Sequence, residues 1–126
     1  MKIVLTTTQP DLESELDPRF GRCSYLLVVD PYTLDWQAEP NAGANASGGA
    51  GVQTAQFVSA QKVQAVISGD FGPNAFSALE AAEVEMYQFG SCRTAREAIQ
   101  SFLDGNLQHV GAATRSEGHS KGRSRL

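Results

Sequence analysis

The hydrophobic period changes partway along this chain, and that change limits the folds open to it. Three apolar, β-branched runs fall within the first forty residues: Met1–Thr8 around Ile3-Val4-Leu5, Ser24–Asp30 (SYLLVVD) and Leu34–Glu39. Short runs of this kind, bounded by Pro10, Pro31 and Pro40, predict strands. The turn Pro31-Tyr32-Thr33 makes a hairpin of the second and third, and the nearly continuous apolar character of the second predicts a central place in the sheet. From residue 51 the spacing becomes helical. Gly51–Gln61 carries an apolar stripe at Val52, Ala55 and Val58, Asn74–Ala82 turns Phe76 and Leu79 inward, and Thr94–Leu103 aligns Ala95, Ala98, Ile99 and Phe102. Short strands at Gln64–Ser68 and Val84–Tyr87 separate these helices. Thr94, with Glu97 three residues on, predicts a capping box, and Gly105 a stop.

The order β-β-β-α-β-α-β-α predicts one α/β domain of three layers. Its mixed five-stranded sheet is antiparallel at first and parallel after the crossovers, with helices on both faces. This is a ribonuclease-H-like arrangement. The domain is expected to fill residues 1–105, leaving the Gly/Ser/Arg-rich residues 106–126 as a flexible tail.

Charge and cysteine usage exclude several functions. Residues 1–114 hold six Lys/Arg against thirteen Asp/Glu, a net of −7, while Arg115, Lys121, Arg123 and Arg125 against Glu117 give residues 115–126 a net of +3. An acidic body argues against a nucleic-acid surface, which draws its affinity from neutralising phosphates. The basic segment is read as a solvated end that could touch an anion or an acidic partner. Two cysteines, Cys23 and Cys92, are too few for a secreted disulfide framework. No apolar run approaches the ~20 residues that span a bilayer, and no leader precedes the first strand, so a cytoplasmic protein without membrane contact is expected.

Three segments could carry chemistry. In Asp17-Pro18-Arg19-Phe20-Gly21-Arg22-Cys23, two guanidiniums offer planar forks of donors suited to oxyanions and sulfide-rich anions, and Gly21 permits close backbone approach. Cys23 follows Arg22, and a neighbouring cation lowers a thiol pKa, making Cys23 a candidate soft-metal ligand. The same residues also have a purely structural reading, with both arginines paired to the acidic loop at 9–19, Phe20 in the core and Cys23 a small buried hydrophobe. From Asn41 through Gly48 and Gly49 to Gly51 and Val52, a Gly-rich loop runs into a helix start, where unpaired amides and the helix dipole favour anions. It matches neither a phosphate loop nor G-x-G-x-x-G, so nucleotide binding is not indicated, and a loop without a ligand is the alternative. In Gly69-Asp70-Phe71-Gly72-Pro73-Asn74, Pro73 marks a helix start at the carboxyl end of a strand, where open α/β sheets place ligands; a turn built for geometry alone is the alternative. His109 and His119 lie in or near the tail, so no Ser-His-Asp or Cys-His constellation is legible. A two-metal nuclease needs clustered carboxylates, and the first strand carries none.

Taken in order, D-P-R-F-G-R-C, a strand ending in V-D, E-P-N, G-G-A-G-V-Q and G-x-x-G-P-N-A-F form a spaced series over residues 1–105. The series resembles the dinitrogenase iron–molybdenum cofactor biosynthesis family, which includes NifX-like proteins, the carboxyl-terminal domain of NifB and the orange protein. The resemblance implies a ribonuclease-H-like fold, no enzymatic activity, and carriage or storage of an iron–sulfur or molybdenum-containing sulfide cluster held mainly by electrostatics, with donor or acceptor proteins of cluster assembly as partners. It implies cluster-facing roles for Arg19, Phe20, Gly21, Arg22, Cys23, Asn41, Gly48, Gly49, Gly51, Val52, Gly69, Gly72, Pro73 and Asn74. Where some members have His, this chain has Arg19, and a guanidinium cannot ligate a metal. The competing functions are a metal-free interaction or regulatory module of the same fold, and a metal-dependent nuclease or phosphatase.

Overall fold

A computed structural model describes residues 1–114. Three strands come first: β1 (Ile3–Thr7), β2 (Tyr25–Val29) and β3 (Trp36–Pro40). A short 3-10 turn at Ala42–Asn45 leads to α1 (Ala50–Ala60). Then follow β4 (Ala65–Ser68), α2 (Pro73–Ala81), β5 (Glu85–Gln88), α3 (Ala95–Leu103) and β6 (Gln108–His109). The sheet order is β3-β2-β1-β4-β5-β6. β2 runs antiparallel to both β1 and β3, β4 is parallel to β1 and β5, and β6 is antiparallel to β5.

Because β1 is apolar at consecutive positions, it is buried on both faces. Val4 faces one core with Leu26, Val28, Val66, Ala55, Val58, Ala75 and Leu79. Ile3 and Leu5 face the other with Leu27, Val29, Ile67, Ala95, Ala98 and Ile99. Thus α1 and α2 cover one face and α3 the other, which gives the three layers. The capping box on α3 is present in full: the Thr94 side chain accepts from Glu97 N, and the Glu97 carboxylate accepts from Thr94 N.

Three expectations need correction. The sheet has six strands rather than five, because residues 106–114 join the body. β6 is only two exposed residues long and carries no apolar alternation, so no strand signal was available from Gln108-His109. Beyond it Val110 is buried against the first core. Thr114 then closes on the start of α2, its N donating to Phe71 O (3.0 Å) and its Oγ1 accepting from Phe71 N (2.8 Å). The packed body therefore runs past residue 105 to Thr114; the rest of the expected tail, 115–126, lies outside the described residues. The α1 stripe also differs: Ala50, Thr54, Ala55 and Val58 are buried, while Val52 is only half-buried. Among the described residues no helix is long and apolar enough to cross a membrane.

The capping box gives the fold its test. Thr94→Ala should cost about 1 kcal/mol, read as a lower urea midpoint at an unchanged slope.

Candidate functional site

The topology gathers three connections at one end of the sheet. Residues 17–22 leave the carboxyl end of β1, residues 41–49 follow the carboxyl end of β3, and residues 69–72 follow the carboxyl end of β4. Between them lies a cleft of about 250 Å³ lined by Arg19, Phe20, Gly21, Arg22, Gly49, Ala50, Gly51, Val52, Asp70, Gly72, Pro73, Asn74 and Ala75.

The first wall is fastened to β1 through its backbone. Asp17 N donates to Thr6 O (2.8 Å) and Thr6 Oγ1 donates to Asp17 O (2.6 Å). The Asp17 carboxylate is itself buried, and three donors satisfy it: Arg19 N (3.0 Å) and Nε (3.1 Å) on one oxygen, Arg19 Nη2 (3.0 Å) on the other. This pairing raises the Arg19 pKa further above its ordinary value. Arg22 is braced differently, with Nη1 donating to the carbonyls of Ala44 (3.1 Å) and Ala46 (2.6 Å). Both guanidiniums are thus held on the cleft wall by contacts within the protein.

The second and third walls are helix starts. Neither Gly49 before α1 nor Gly72 before α2 supplies a side-chain cap. The first-turn amides of a helix have no intrahelical acceptor, so those of Ala50, Gly51, Val52, Asn74 and Ala75 are left with donor capacity beside the cleft. Gly49 takes the left-handed conformation (φ 71°), which glycine adopts without steric cost. The walls meet at backbone distance. A Cβ on Gly21 would lie 2.8 Å from Gly51 N, and one on Gly69 would lie 2.6 Å from Pro18 Cα. Phe20 lines the cleft and packs against the buried Phe71, ring centroids 5.4 Å apart.

Four of the residues singled out from the sequence stand elsewhere. Cys23 is fully buried in the first core, and burial pushes its thiol from its ordinary 9.0 up to about 12. The expected lowering by a neighbouring cation is reversed because desolvation dominates, so Cys23 is a buried thiol with no face on the cleft. Asn41 is also buried and acts as a pin. Its Nδ2 donates to the carbonyls of Gly21 and Cys23 (3.0 Å each), and its Oδ1 accepts from Gly43 N (3.1 Å) and Thr54 Oγ1 (3.0 Å). Gly48 does not line the cleft, and Gly69 serves the close approach to Pro18. Among the described residues no group of three or more His, Cys, Asp or Glu is placed to hold a metal ion. Sequence reasoning missed Ala75 as a lining residue, while Ala50 and Asp70 lie within segments it singled out; its structural reading holds for Arg19, which pairs with Asp17 of the acidic loop, and for the buried Phe20 and Cys23, but not for Arg22. The pairing had a signal in Asp17-Pro18-Arg19, since an Asp side chain readily accepts from the amide two residues on.

Fold and cleft together define a class: a mixed α/β domain whose open sheet end presents two arginines, two helix starts and, among the described residues, a single carboxylate, Asp70. The chain belongs to the dinitrogenase iron–molybdenum cofactor family, whose description matches residues 1–105. Its fold is similar to that of the apo orange protein from Desulfovibrio gigas, at a TM-score of 0.85 and 34% identity, covering 90% of this chain and 96% of that one. It is also similar to the NMR structure of a Thermotoga protein assigned to NifB, at a TM-score of 0.78 and 31% identity, covering 90% and 97%. An uncharacterised protein of Methanocaldococcus jannaschii is 28% identical over 111 residues, 86% of this chain and 90% of its own.

Two outcomes test this geometry. Gly21→Ala should lose about 1–3 kcal/mol of stability by denaturant titration, because the added methyl meets backbone rather than a movable side chain. A folded-state thiol pKa raised from 9.0 to about 12 means that, above pH 9, the unfolded chain releases a proton that the folded chain retains. The Cys23 contribution to stability is therefore full below pH 9 and falls as pH rises toward 12. Cys23→Ala should flatten that alkaline slope in pH-dependent melting.

Proposed function

We propose that this protein is a non-catalytic carrier or storage protein for an anionic metal–sulfur cluster, an iron–molybdenum cofactor precursor or a related Fe, Mo or Cu sulfide. It acts in the cytoplasm between donor and acceptor proteins of cluster assembly. The observation that carries this reading is the composition of the cleft. Arg19, Arg22 and two uncapped helix starts converge on it, while among the described residues its wall holds no thiol and no imidazole. Such a site gives a polyanion charge-assisted hydrogen bonds without covalent attachment, and a cargo held that way can be passed on intact. Family membership and the likeness to the orange protein support the same reading. A ribonuclease-H-like assignment fits the β3-β2-β1-β4-β5 order, with β2 as the antiparallel strand. Absence of catalysis fits a cleft where Asp70 is the one lining carboxylate among the described residues, leaving no partner for two-metal chemistry.

Anaerobic titration with tetrathiomolybdate, followed by visible absorption and elemental analysis for Fe, Mo and Cu, tests the proposal. The parent protein should bind, and Arg22→Ala should bind about tenfold more weakly, the loss expected for one charge-assisted contact. An Arg22→Ala protein that binds as tightly as the parent would overturn it.

A further inference from the structure

Asp70 is the anomaly of the cleft. It places a carboxylate among two guanidiniums and two helix starts, where an anion pocket would be expected to carry none. Its position is tightly determined: Asp70 N donates to Pro18 O (2.8 Å), residues 70 and 19 form a parallel bridge, and Gln88 Nε2 holds the preceding Gly69 carbonyl (2.8 Å). The missing Cβ of Gly69 lets this turn press against Pro18. Yet among the described residues the Asp70 side chain enters no ion pair. Arg19, its bridge partner, gives its Nε and Nη2 to Asp17, and Arg22 gives Nη1 to two carbonyls. An exposed carboxylate whose backbone is fixed on the wall of a donor-rich cleft, with neither cation neutralising it, has a defined consequence for what can enter.

We infer that Asp70 is a specificity-determining residue that excludes compact oxyanions such as phosphate and sulfate while admitting a larger, charge-dispersed sulfide anion. The inference rests on the anion-pocket reading above and adds a selectivity to it. Uncapped helix starts beside arginines make a ready phosphate site, and an unguarded carrier would be filled by whichever oxyanion is most abundant. An ionised carboxylate only accepts hydrogen bonds. A fully ionised oxyanion facing it sets acceptor against acceptor and concentrates its charge at short range, where repulsion falls only as the inverse of distance. In a cleft of about 250 Å³, where roughly 10–15 Å³ suffices for one water, a small oxyanion cannot touch all the donors at once and still avoid Asp70. A thiometallate spreads its charge over polarisable sulfurs and spans the cleft from helix starts to arginines. Discrimination by a repulsive element is a usual route to selectivity between ligands of like charge.

The test compares the full chain with Asp70→Asn and Asp70→Ser, titrated separately with inorganic phosphate, sulfate and tetrathiomolybdate at fixed ionic strength. Both variants should bind phosphate and sulfate about tenfold or more tightly than the parent, the scale expected for removing one like charge at contact range. Their tetrathiomolybdate affinity should change by about threefold or less. Two substitutions of different shape guard against a folding defect in either one. Variants whose oxyanion affinity equals that of the parent, or a parent that already binds phosphate as tightly as tetrathiomolybdate, would overturn the inference. A parent that binds no tetrathiomolybdate would instead sink the carrier function, and the oxyanion titrations would still read the effect of Asp70.

Discussion

The cleft exists because three stretches of backbone touch where side chains would normally keep them apart. Gly21 lies on the first turn of α1, Gly51 lies beside Ala75 of α2, and Gly69 lies on Pro18. Replace any of these hydrogens with a methyl group and the walls separate by a sizeable fraction of an ångström, since in two of the three cases the obstacle is main chain. Everything else at this end of the sheet follows from that contact. The two helix starts face one space, Phe20 lines it with Phe71 packed behind, and Asn41 ties the carbonyls of residues 21 and 23 to the turn that precedes α1. Interiors packed at crystal-like density do not yield to such a change gradually.

Much of this is legible in the sequence, and what is not has physical causes. Periodicity located the first five strands and all three helices because β1, β2 and β4 are apolar on both faces and α3 carries a full capping box. The sixth strand is Gln108-His109, whose pairing with β5 is made by backbone alone, and backbone pairing leaves no mark in side-chain pattern. Val52 stood at a core spacing on α1, yet Thr54 is the residue that is buried, because its hydroxyl finds Asn41 Oδ1. Local propensity cannot report a partner thirteen residues away. Cys23 illustrates the same limit: its neighbour in sequence is a cation, but in the fold it lies in the first core, its Sγ donating to Phe20 O (3.4 Å). Ten of the fourteen residues singled out for the site line the cleft, since glycines and prolines announce turns, and turns at one end of an α/β sheet gather.

The electrostatics also change character between sequence and structure. Counted as letters, Arg19 and Arg22 are two free cations on an acidic chain. In the fold each is partly used: one closes a buried carboxylate, the other braces a loop. What remains for a ligand is a set of neutral amide dipoles at two helix starts, assisted by guanidiniums that are already oriented. Preorganised donors of that kind cost little reorganisation when an anion arrives, and their neutrality limits how tightly the anion is kept.

The two ends of the folded body are unlike in their relation to the cleft. Met1 sits at the opposite end of the sheet, beside Asp30 and Trp36. Thr114, by contrast, is hydrogen-bonded to Phe71, next in sequence to both Asp70 and Gly72 on the cleft wall. A polyhistidine stretch joined directly after Thr114 would start out beside the opening, bringing imidazole ligands to a cleft that, among the described residues, is lined by no His or Cys. Attachment ahead of Met1 places the same handle at the far end of the sheet, and purification strategy for this protein is accordingly a chemical choice.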